Sequence, residues 1–216
     1  MVRNLAIVLP FLLLISGCES AYYDAMEKVG VHKREILIDR IEEAQESQED
    51  GQEQFKNALE QFRSVINFDG GELENIYNRL NDEYEDSVDA AETIHDRIDD
   101  VESVADALFD EWRDELELYN NATLRRDSER QLRETQRRYA RLMTAMHRTE
   151  ETIEPVLASL QDNVLYLKHN LNSRAIASLK GELATVDQDV AKLVAAMQQA
   201  INESNQFIEE LRGSAS

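Results

Sequence analysis

The sequence predicts an all-α protein, an elongated antiparallel up-down-up-down four-helix bundle with the character of a coiled-coil rod. Apolar or small residues recur at alternating spacings of four and three in four separate runs. A repeat of this kind, kept over many turns, holds one face of each helix against its neighbours. Glycine and proline, which disfavour helices, number only seven and two. Short polar segments separate the runs, and short connections make consecutive helices antiparallel.

The first two helices are expected over about residues 31–66 and 72–119. The periodic positions are Leu37, Ile41, Ala44, Gln48, Gly51, Phe55, Ala58, Phe62 and Val65 in the first run, and Leu73, Tyr77, Leu80, Tyr84, Ser87, Ala91, Ile94, Ile98, Val101, Ala105, Leu108 and Trp112 in the second. Between them, Asn67-Phe68-Asp69-Gly70-Gly71 predicts a turn, because asparagine, aspartate and glycine favour turn conformations.

The third and fourth helices are expected over about residues 123–170 and 173–211, within a bundle spanning 31–212. Asn120-Asn121-Ala122-Thr123 supplies capping residues for the third helix, and Asn172 or Ser173 can cap the fourth. Residues 213–216 are expected to fray. Helices of these lengths predict a rod of about 60–70 Å.

Charge also predicts how the second and third helices pair. The second helix is acidic and the third begins with a cluster of arginines. Folding the chain back at Asn121 would set three pairs side by side: Glu115 with Arg126, Glu111 with Arg130, and Asp100 with Arg141. The alternative is a charged face that water solvates, since exposed pairs contribute little to stability.

The middle of the rod has weak core residues. Gln48, Gly51, Ser87, Ala91 and Pro155 fall at about the same height along the four runs. Small or polar core residues pack poorly, and a proline inside a helix removes a hydrogen bond. The sequence therefore predicts a bend or a mobile layer here, and a hollow that admits a ligand is the functional alternative. Sequence alone does not decide between a hinge and a site.

The first 17 residues predict a signal peptide. Arg3 precedes an apolar stretch, and Leu14-Ile15-Ser16-Gly17-Cys18 follows. The apolar stretch is shorter than the roughly 20 residues that span a membrane. The small residues before the chain's single cysteine indicate a bacterial lipobox, with Cys18 as the lipidated residue. An ordinary signal peptide with a nearby cysteine is the alternative. Residues 18–30 would then form a lipidated N-terminus and a short membrane-proximal helix.

The charge of the mature chain limits the classes of partner that it can bind. Removing residues 1–17 takes away one basic residue, Arg3, which leaves 22 Lys+Arg against 44 Asp+Glu and a net charge of −22. A polyanion of this kind repels nucleic acid and anionic headgroups, so nucleic-acid binding is not expected. The lipid on Cys18 is therefore expected to hold the protein at the membrane. Glu19 favours the periplasmic face of the outer membrane, and the inner membrane stays open.

No residue pattern predicts catalysis, a metal site or a cofactor. Glu92-Thr93-Ile94-His95 carries the Glu-x-x-His spacing of di-iron bundles, but such a site needs a second copy of that motif. The other histidines lack a glutamate three residues earlier. Glu92 and His95 are therefore expected to form a surface pair, and His147 to contact Glu150 or Glu151 on its own helix. The chain is predicted not to be an enzyme.

Three segments resemble a known family. They are residues 22–35, reading YYDAMEKVGVHKRE; Pro155-Val156-Leu157; and Leu167-Lys168-His169-Asn170-Leu171-Asn172 with Ala175-Ile176. These segments resemble a family of uncharacterised bacterial lipoproteins, domain of unknown function 2959. The resemblance covers the mature chain and implies a secreted helical protein. It brings no activity, substrate or site residue.

These features together favour a non-enzymatic cell-envelope protein, a membrane-tethered rod that scaffolds, spaces or binds a periplasmic partner. Phe68, Asp69, His169 and Asn172 would lie at the end of the rod farthest from the membrane and form its candidate partner contact. For His169, the alternative is an interaction with the free carbonyls at its own helix end. A bundle that binds a small ligand, lipid or metal at the central layer is the second hypothesis, and self-association through open seams is the third.

Overall fold

The computed structural model describes residues 32–68 and 73–213 and confirms the predicted all-α fold. These residues form four helices and no strand: α1, Lys33–Ile66; α2, Leu73–Leu116; α3, Ala122–His169; and α4, Ser173–Gly213. The expectations for the signal peptide, for Cys18, for Asp69 and for the tail beyond Gly213 concern residues outside the described ranges.

The helices form a closed antiparallel bundle. Helix α1 packs against α2 and α4, and α3 packs against the same two helices. Interhelical ion pairs fix the direction of each helix: Arg97 Nη1 lies 3.3 Å from Glu43 Oε2, and Arg138 Nη1 lies 3.0 Å from Glu210 Oε2. We call the end that holds His32 and the α2–α3 loop (117–121) the proximal end. The opposite end, with Phe68 and the α3–α4 connection (170–172), is the distal end.

The core consists of the predicted stripes. The largest side chains without solvent exposure come from all four helices: Phe55, Phe62, Leu37, Ile41, Leu80, Ile94, Ile98, Leu142, Met146, Leu160, Leu167 and Leu179. Burial of these side chains is the main source of stability, because each buried aliphatic or aromatic side chain contributes about 1.5–3 kcal/mol. Among the described residues, none of the helices is long and apolar enough to cross a membrane.

Asparagine side chains cap two helices as the sequence predicts. Asn121 Oδ1 accepts hydrogen bonds from the backbone N–H groups of Thr123 and Leu124, at 2.9 and 3.3 Å. Asn172 Oδ1 accepts from Arg174 and Ala175 at 3.0 and 3.2 Å. These bonds satisfy N–H groups that have no partner within the helix.

Helix α2 ends at Leu116, three residues before the predicted end at Tyr119. The backbone N–H groups of Glu117 and Leu118 bond to carbonyls three residues earlier, at 3.1 and 3.0 Å. This tighter geometry closes the last turn and prevents the α-helix from continuing.

The predicted ion pairs between α2 and α3 do not form. Arg130 pairs instead with Asp127 at 2.9 Å, and Arg133 pairs with Glu129 at 2.8 Å, both within α3. Arg125 bonds Glu117 across the loop at 2.5 Å. Pairs three or four residues apart on one helix are already neighbours and require little extra ordering. The start of α3 is therefore a charged face that water solvates, which was the alternative to pairing between the helices.

Helix α3 continues without interruption through Pro155. The proline side chain is exposed, so the ring lies on the solvent side of the helix and outside the core. Residue Glu151, whose carbonyl loses its normal helical partner, is also exposed. Water can therefore satisfy that carbonyl, which explains how the helix tolerates the proline.

Candidate functional site

The middle of the bundle contains a polar layer in its core. Gln48 on α1 is only 1% exposed, and both its amide nitrogen and its amide oxygen lack a hydrogen-bond partner among the described residues. The buried hydroxyl of Thr149 on α3 also lacks one. Ser87 is buried as well, but its hydroxyl donates to the Glu83 carbonyl at 2.7 Å. Gln48 and Thr149 are thus the costly polar groups of this core.

Gly51 lets the neighbouring helices approach α1 closely. A Cβ atom placed on Gly51 would lie 2.7 Å from Ile94 Cδ1 and 3.1 Å from Met197 Cε, distances shorter than normal packing allows. The Ile94 and Met197 side chains fill the space that a larger residue would occupy. Gly51 is therefore a packing requirement of the layer and leaves no hollow there.

The unpartnered amide predicts that Gln48→Met stabilises the protein. Leaving a buried polar group unsatisfied costs about 1–3 kcal/mol, and methionine nearly matches glutamine in volume and flexibility. We expect the free energy of unfolding, measured by urea denaturation, to rise by about 1–3 kcal/mol. The exposed Gln199 of α4 gives a matched control, since Gln199→Met should change it by less than about 0.5 kcal/mol. A loss of stability in Gln48→Met would mean that the amide has a partner.

A groove lies between α2 and α3 at the height of the predicted weak layer. Its volume is about 430 Å³, and it is open to solvent. The lining residues are Tyr84, Ala91, His95, Glu150, Ile153, Glu154, Leu157, Ala158 and Gln161. Ala91 thus lies on the groove wall and Pro155 beside it, whereas Gln48, Gly51 and Ser87 lie in the core behind. The groove has an apolar floor and a polar edge formed by His95 and Glu150.

A chain of hydrogen bonds links α2 and α3 beside the groove. Glu150 Oε1 lies 2.6 Å from His95 Nδ1, and Glu150 Oε2 lies 2.8 Å from His147 Nδ1. The other ring nitrogen of His147 contacts Glu102 Oε1 at 3.0 Å. One carboxylate therefore joins two histidines from different helices.

The sequence predicted only part of this network. The expected contact of His147 with Glu150 is present. The expected pair of Glu92 with His95 is not, because His95 contacts Glu150 and, at 3.7 Å, Asp99. Spacing along one helix reveals contacts within that helix, and a contact between helices depends on their exact register. The sequence does not give the register of α2 against α3, so it could not predict the contact of His95 with Glu150.

The network raises the pKa of both histidines. The hydrogen bond with Glu150 raises the pKa of His95, and the charge of Asp99 adds to it. The hydrogen bond with Glu150 also raises the pKa of His147; partial burial opposes this shift, and the charge of Glu102 supports it. Each carboxylate favours the charged imidazolium.

These shifts predict a pH-dependent contribution to stability. A histidine with a raised pKa in the folded protein stabilises it fully below the unfolded-state pKa of about 6.5, and this contribution disappears as the pH rises through the folded-state pKa. We therefore expect Glu150→Gln to lower the melting temperature at pH 5.5 more than at pH 8.5. Glu154→Gln, at an exposed neighbour without a pairing histidine, should show no such difference. Equal effects of Glu150→Gln at both pH values would contradict the network.

No group of three or more His, Cys, Asp or Glu side chains within 32–68 and 73–213 is arranged to hold a metal ion. The histidine nitrogens of the network face carboxylate oxygens at hydrogen-bond distance. The arrangement can accept and release protons and can hold α2 against α3.

A second groove, of about 350 Å³, lies at the proximal end. Its aromatic wall consists of Trp112 and Phe207, and Arg34 and Arg138 stand at its edge. The Trp112 indole N–H donates to Ser128 Oγ at 2.8 Å, which joins α2 to α3. The ion pair between Arg138 and Glu210 closes one side of the groove.

The residues predicted as a partner contact lie at the distal end where the structure describes them. His169 and Asn172 are exposed, and Asn172 also caps α4. Phe68 is half-buried and packs against the core, so only part of its ring is accessible. Further exposed apolar residues at this end are Leu165, Tyr166 and Leu171, which were not among the predicted contact residues.

Comparison with known proteins gives a family without an assigned activity. None of the curated proteins matches the sequence significantly. A family model described as Protein of unknown function (DUF2959) matches residues 22–211, and the chain belongs to that family.

Proposed function

We propose that this protein is a non-enzymatic lipoprotein of the bacterial cell envelope. In this proposal, Cys18 carries the lipid and holds the protein at the periplasmic face of the outer membrane. The helical bundle acts as a scaffold, a spacer or a partner-binding module. The observation that carries the proposal is the elongated shape of the bundle, whose long helices pack side by side and are connected only at its two opposite ends within the described residues.

The dimensions of the chain support a spacer. The 48 residues of α3 correspond to a rod of about 70 Å. The chain between Cys18 and His32 can extend over at most about 50 Å. An acylated Cys18 would therefore keep the proximal end near the bilayer, and an upright rod would carry His169 and Asn172 towards the periplasm.

The anchor is tested with the full-length protein expressed in a bacterium that processes lipoproteins. Mass analysis of the purified native protein is expected to find fatty acids on Cys18, and Cys18→Ala should move the protein from the membrane to the soluble fraction. Ser20→Ala, two residues away, should remain in the membrane fraction. A processed but unacylated protein would favour the ordinary signal peptide and overturn the proposal.

The partner contact is tested by photo-crosslinking in intact cells. A photoreactive residue at His169 in the distal end should give a discrete crosslinked product, whereas one at the exposed Gln199 on the side of α4 should not. Products of similar yield from both positions would mean that the distal end is not a preferred binding surface.

The α2–α3 groove favours a second candidate function, the binding of a small ligand. Its apolar floor and its His95–Glu150 edge suit a compact apolar molecule with a cationic or hydrogen-bonding group. Native mass spectrometry of protein purified from envelopes should then detect added mass, and Ala91→Trp, which fills the groove, should abolish it. Unliganded protein in that experiment would exclude this function.

A further inference from the structure

The α2–α3 loop exposes apolar side chains at the proximal end. Leu118 is 76% exposed, Tyr119 41% and Leu124 55%. These three residues, which we call the proximal patch, lie within seven positions of the chain. Single exposed apolar residues are common, but three of them in the α2–α3 loop and the first turn of α3 indicate a contact surface.

The local backbone prevents the patch from folding into the core. The buried Leu116 is the last core residue of α2, and the tight turn after it directs Leu118 away from the bundle. On the other side of the loop, Asn121 caps α3 and fixes the direction in which that helix begins. The exposed position of the patch is therefore built into the loop.

The charges around the patch are mixed: Asp114 and Glu115 in the last turn of α2 are exposed, and the basic residues lie at the start of α3. Arg125 neutralises Glu117 at 2.5 Å, and the first turn of α3 contains no acidic residue. Arg126 is exposed and forms no ion pair among the described residues. The start of α3 thus places the positive end of its dipole and the unpaired Arg126 guanidinium beside the apolar side chains, and the negative end of the α2 dipole lies across the loop.

The position of the patch indicates its occupant. The patch lies at the end where the chain enters α1 at His32, after the 31 residues that contain Cys18. Lys33 of α1 forms an ion pair with Glu111 of α2 at 3.1 Å, which fixes the start of α1 beside the last part of α2. A surface next to the attachment point of a membrane anchor meets the bilayer first.

We propose that the proximal patch is a second membrane contact, in which Leu118, Tyr119 and Leu124 enter the headgroup region of a phospholipid bilayer and Arg126 meets lipid phosphate. This inference rests on the proposed lipid anchor at Cys18. Tyrosine and leucine suit this region because the apolar part of each side chain leaves water while the tyrosine hydroxyl stays hydrated. With two contacts, the rod stands on its proximal end, since an acyl chain alone leaves its direction free.

The distal end offers a matched control. Leu165, Tyr166 and Leu171 repeat the composition of the patch and are also exposed. They lie at the opposite end of α3 and in the connection that follows it. Variants in which either set is changed to serine lose the same three types of side chain, and neither set belongs to the buried core.

The test uses the acylated full-length protein in vesicles of phosphatidylethanolamine and phosphatidylglycerol. A spin label on Ala122→Cys, beside the patch, should collide more often with oxygen, which enters bilayers, than with a water-soluble nickel complex. Leu118→Ser/Tyr119→Ser/Leu124→Ser should reverse that ratio, and Leu165→Ser/Tyr166→Ser/Leu171→Ser should leave it unchanged. Circular dichroism confirms that each variant is folded.

The outcomes separate this inference from the proposed function. A label with water-like collision rates in protein that carries fatty acids would overturn the patch and leave the anchor intact. A label protected from both reagents, with spectra that depend on protein concentration, would show a second copy of the chain on the patch instead of lipid. Protein without fatty acids would overturn the proposed function.

Discussion

Replacing Pro155 with alanine is expected to increase the free energy of unfolding by about 2 kcal/mol. Proline inside a helix costs about 3 kcal/mol relative to alanine, because it lacks the N–H group and its ring crowds the preceding turn. The exposed ring of Pro155 contributes little to packing, so alanine loses little contact area. Against this gain, alanine gives the unfolded chain more conformational freedom, which costs about 0.4–1 kcal/mol. The free energy gained by removing proline from the helix is larger than this cost, so the variant should be more stable.

The same substitution tests whether Pro155 loosens the central groove. Ile153, Glu154, Leu157 and Ala158 surround Pro155 in sequence and line that groove. Restoring the hydrogen bond to the Glu151 carbonyl should slow amide hydrogen exchange in this turn of α3 more than in the turns of the same helix near Leu132. Pro155→Gly separates the causes, since glycine restores the N–H group but remains about 1 kcal/mol less favourable than alanine. A loss of stability in Pro155→Ala would mean that the proline is required by the native conformation.

The sequence was sufficient for the fold because its local signals agree. The heptad stripes place Leu37, Phe55, Leu80 and Ile94 in one core, and the structure buries all four. The caps at Asn121 and Asn172 follow from residue types that accept backbone hydrogen bonds. When periodicity, capping and turn residues support the same helices, few alternative folds compete.

The sequence was insufficient for contacts that depend on register. The expected pair of Asp100 with Arg141 assumed that α2 and α3 meet with residue numbers adding to 241. The contacts that form do not keep one sum: Trp112 with Ser128 gives 240, His95 with Glu150 gives 245, and His147 with Glu102 gives 249. The contacts in the middle of the bundle thus depart from the expected sum by four to eight residues, about one to two helical turns, which brings other charged groups together. Small differences in loop geometry and side-chain packing set such a shift, and charge patterns cannot encode it because exposed pairs are too weak.

The same reasoning explains the partial prediction of the central site. The sequence marked the height of the weak layer but not which residues face the core and which face the groove. Gln48 and Gly51 face inward, Ala91 lines the groove, and Pro155 faces solvent. A heptad stripe is wide enough to contain residues that face the core and residues that face the groove. The sequence therefore does not distinguish them, and the division appears only when the helices are packed.

Phe55→Ala is expected to lower the free energy of unfolding by about 3–5 kcal/mol, the largest effect among these predictions. Phe55 lies on α1 and has no solvent exposure. Truncation removes its burial energy and leaves a cavity, which neighbouring helices can fill only in part because each is held along its whole length. Single domains are stable by about 5–15 kcal/mol, so this one change removes a large fraction of the total. Urea denaturation, monitored by circular dichroism, measures this change in the free energy of unfolding.

The form of the transition then shows whether the rod unfolds as one unit. Each layer of a slender bundle contacts only the next layers, which favours local opening, but every helix crosses all layers and couples them. We expect coupling to dominate, so Phe55→Ala should shift the midpoint without changing the slope of the transition. Tyr119→Ala, at an exposed aromatic, should change stability by less than about 0.5 kcal/mol. A second transition in Phe55→Ala would show that the distal and proximal parts of the bundle unfold separately, in which case the rod could not act as a rigid spacer.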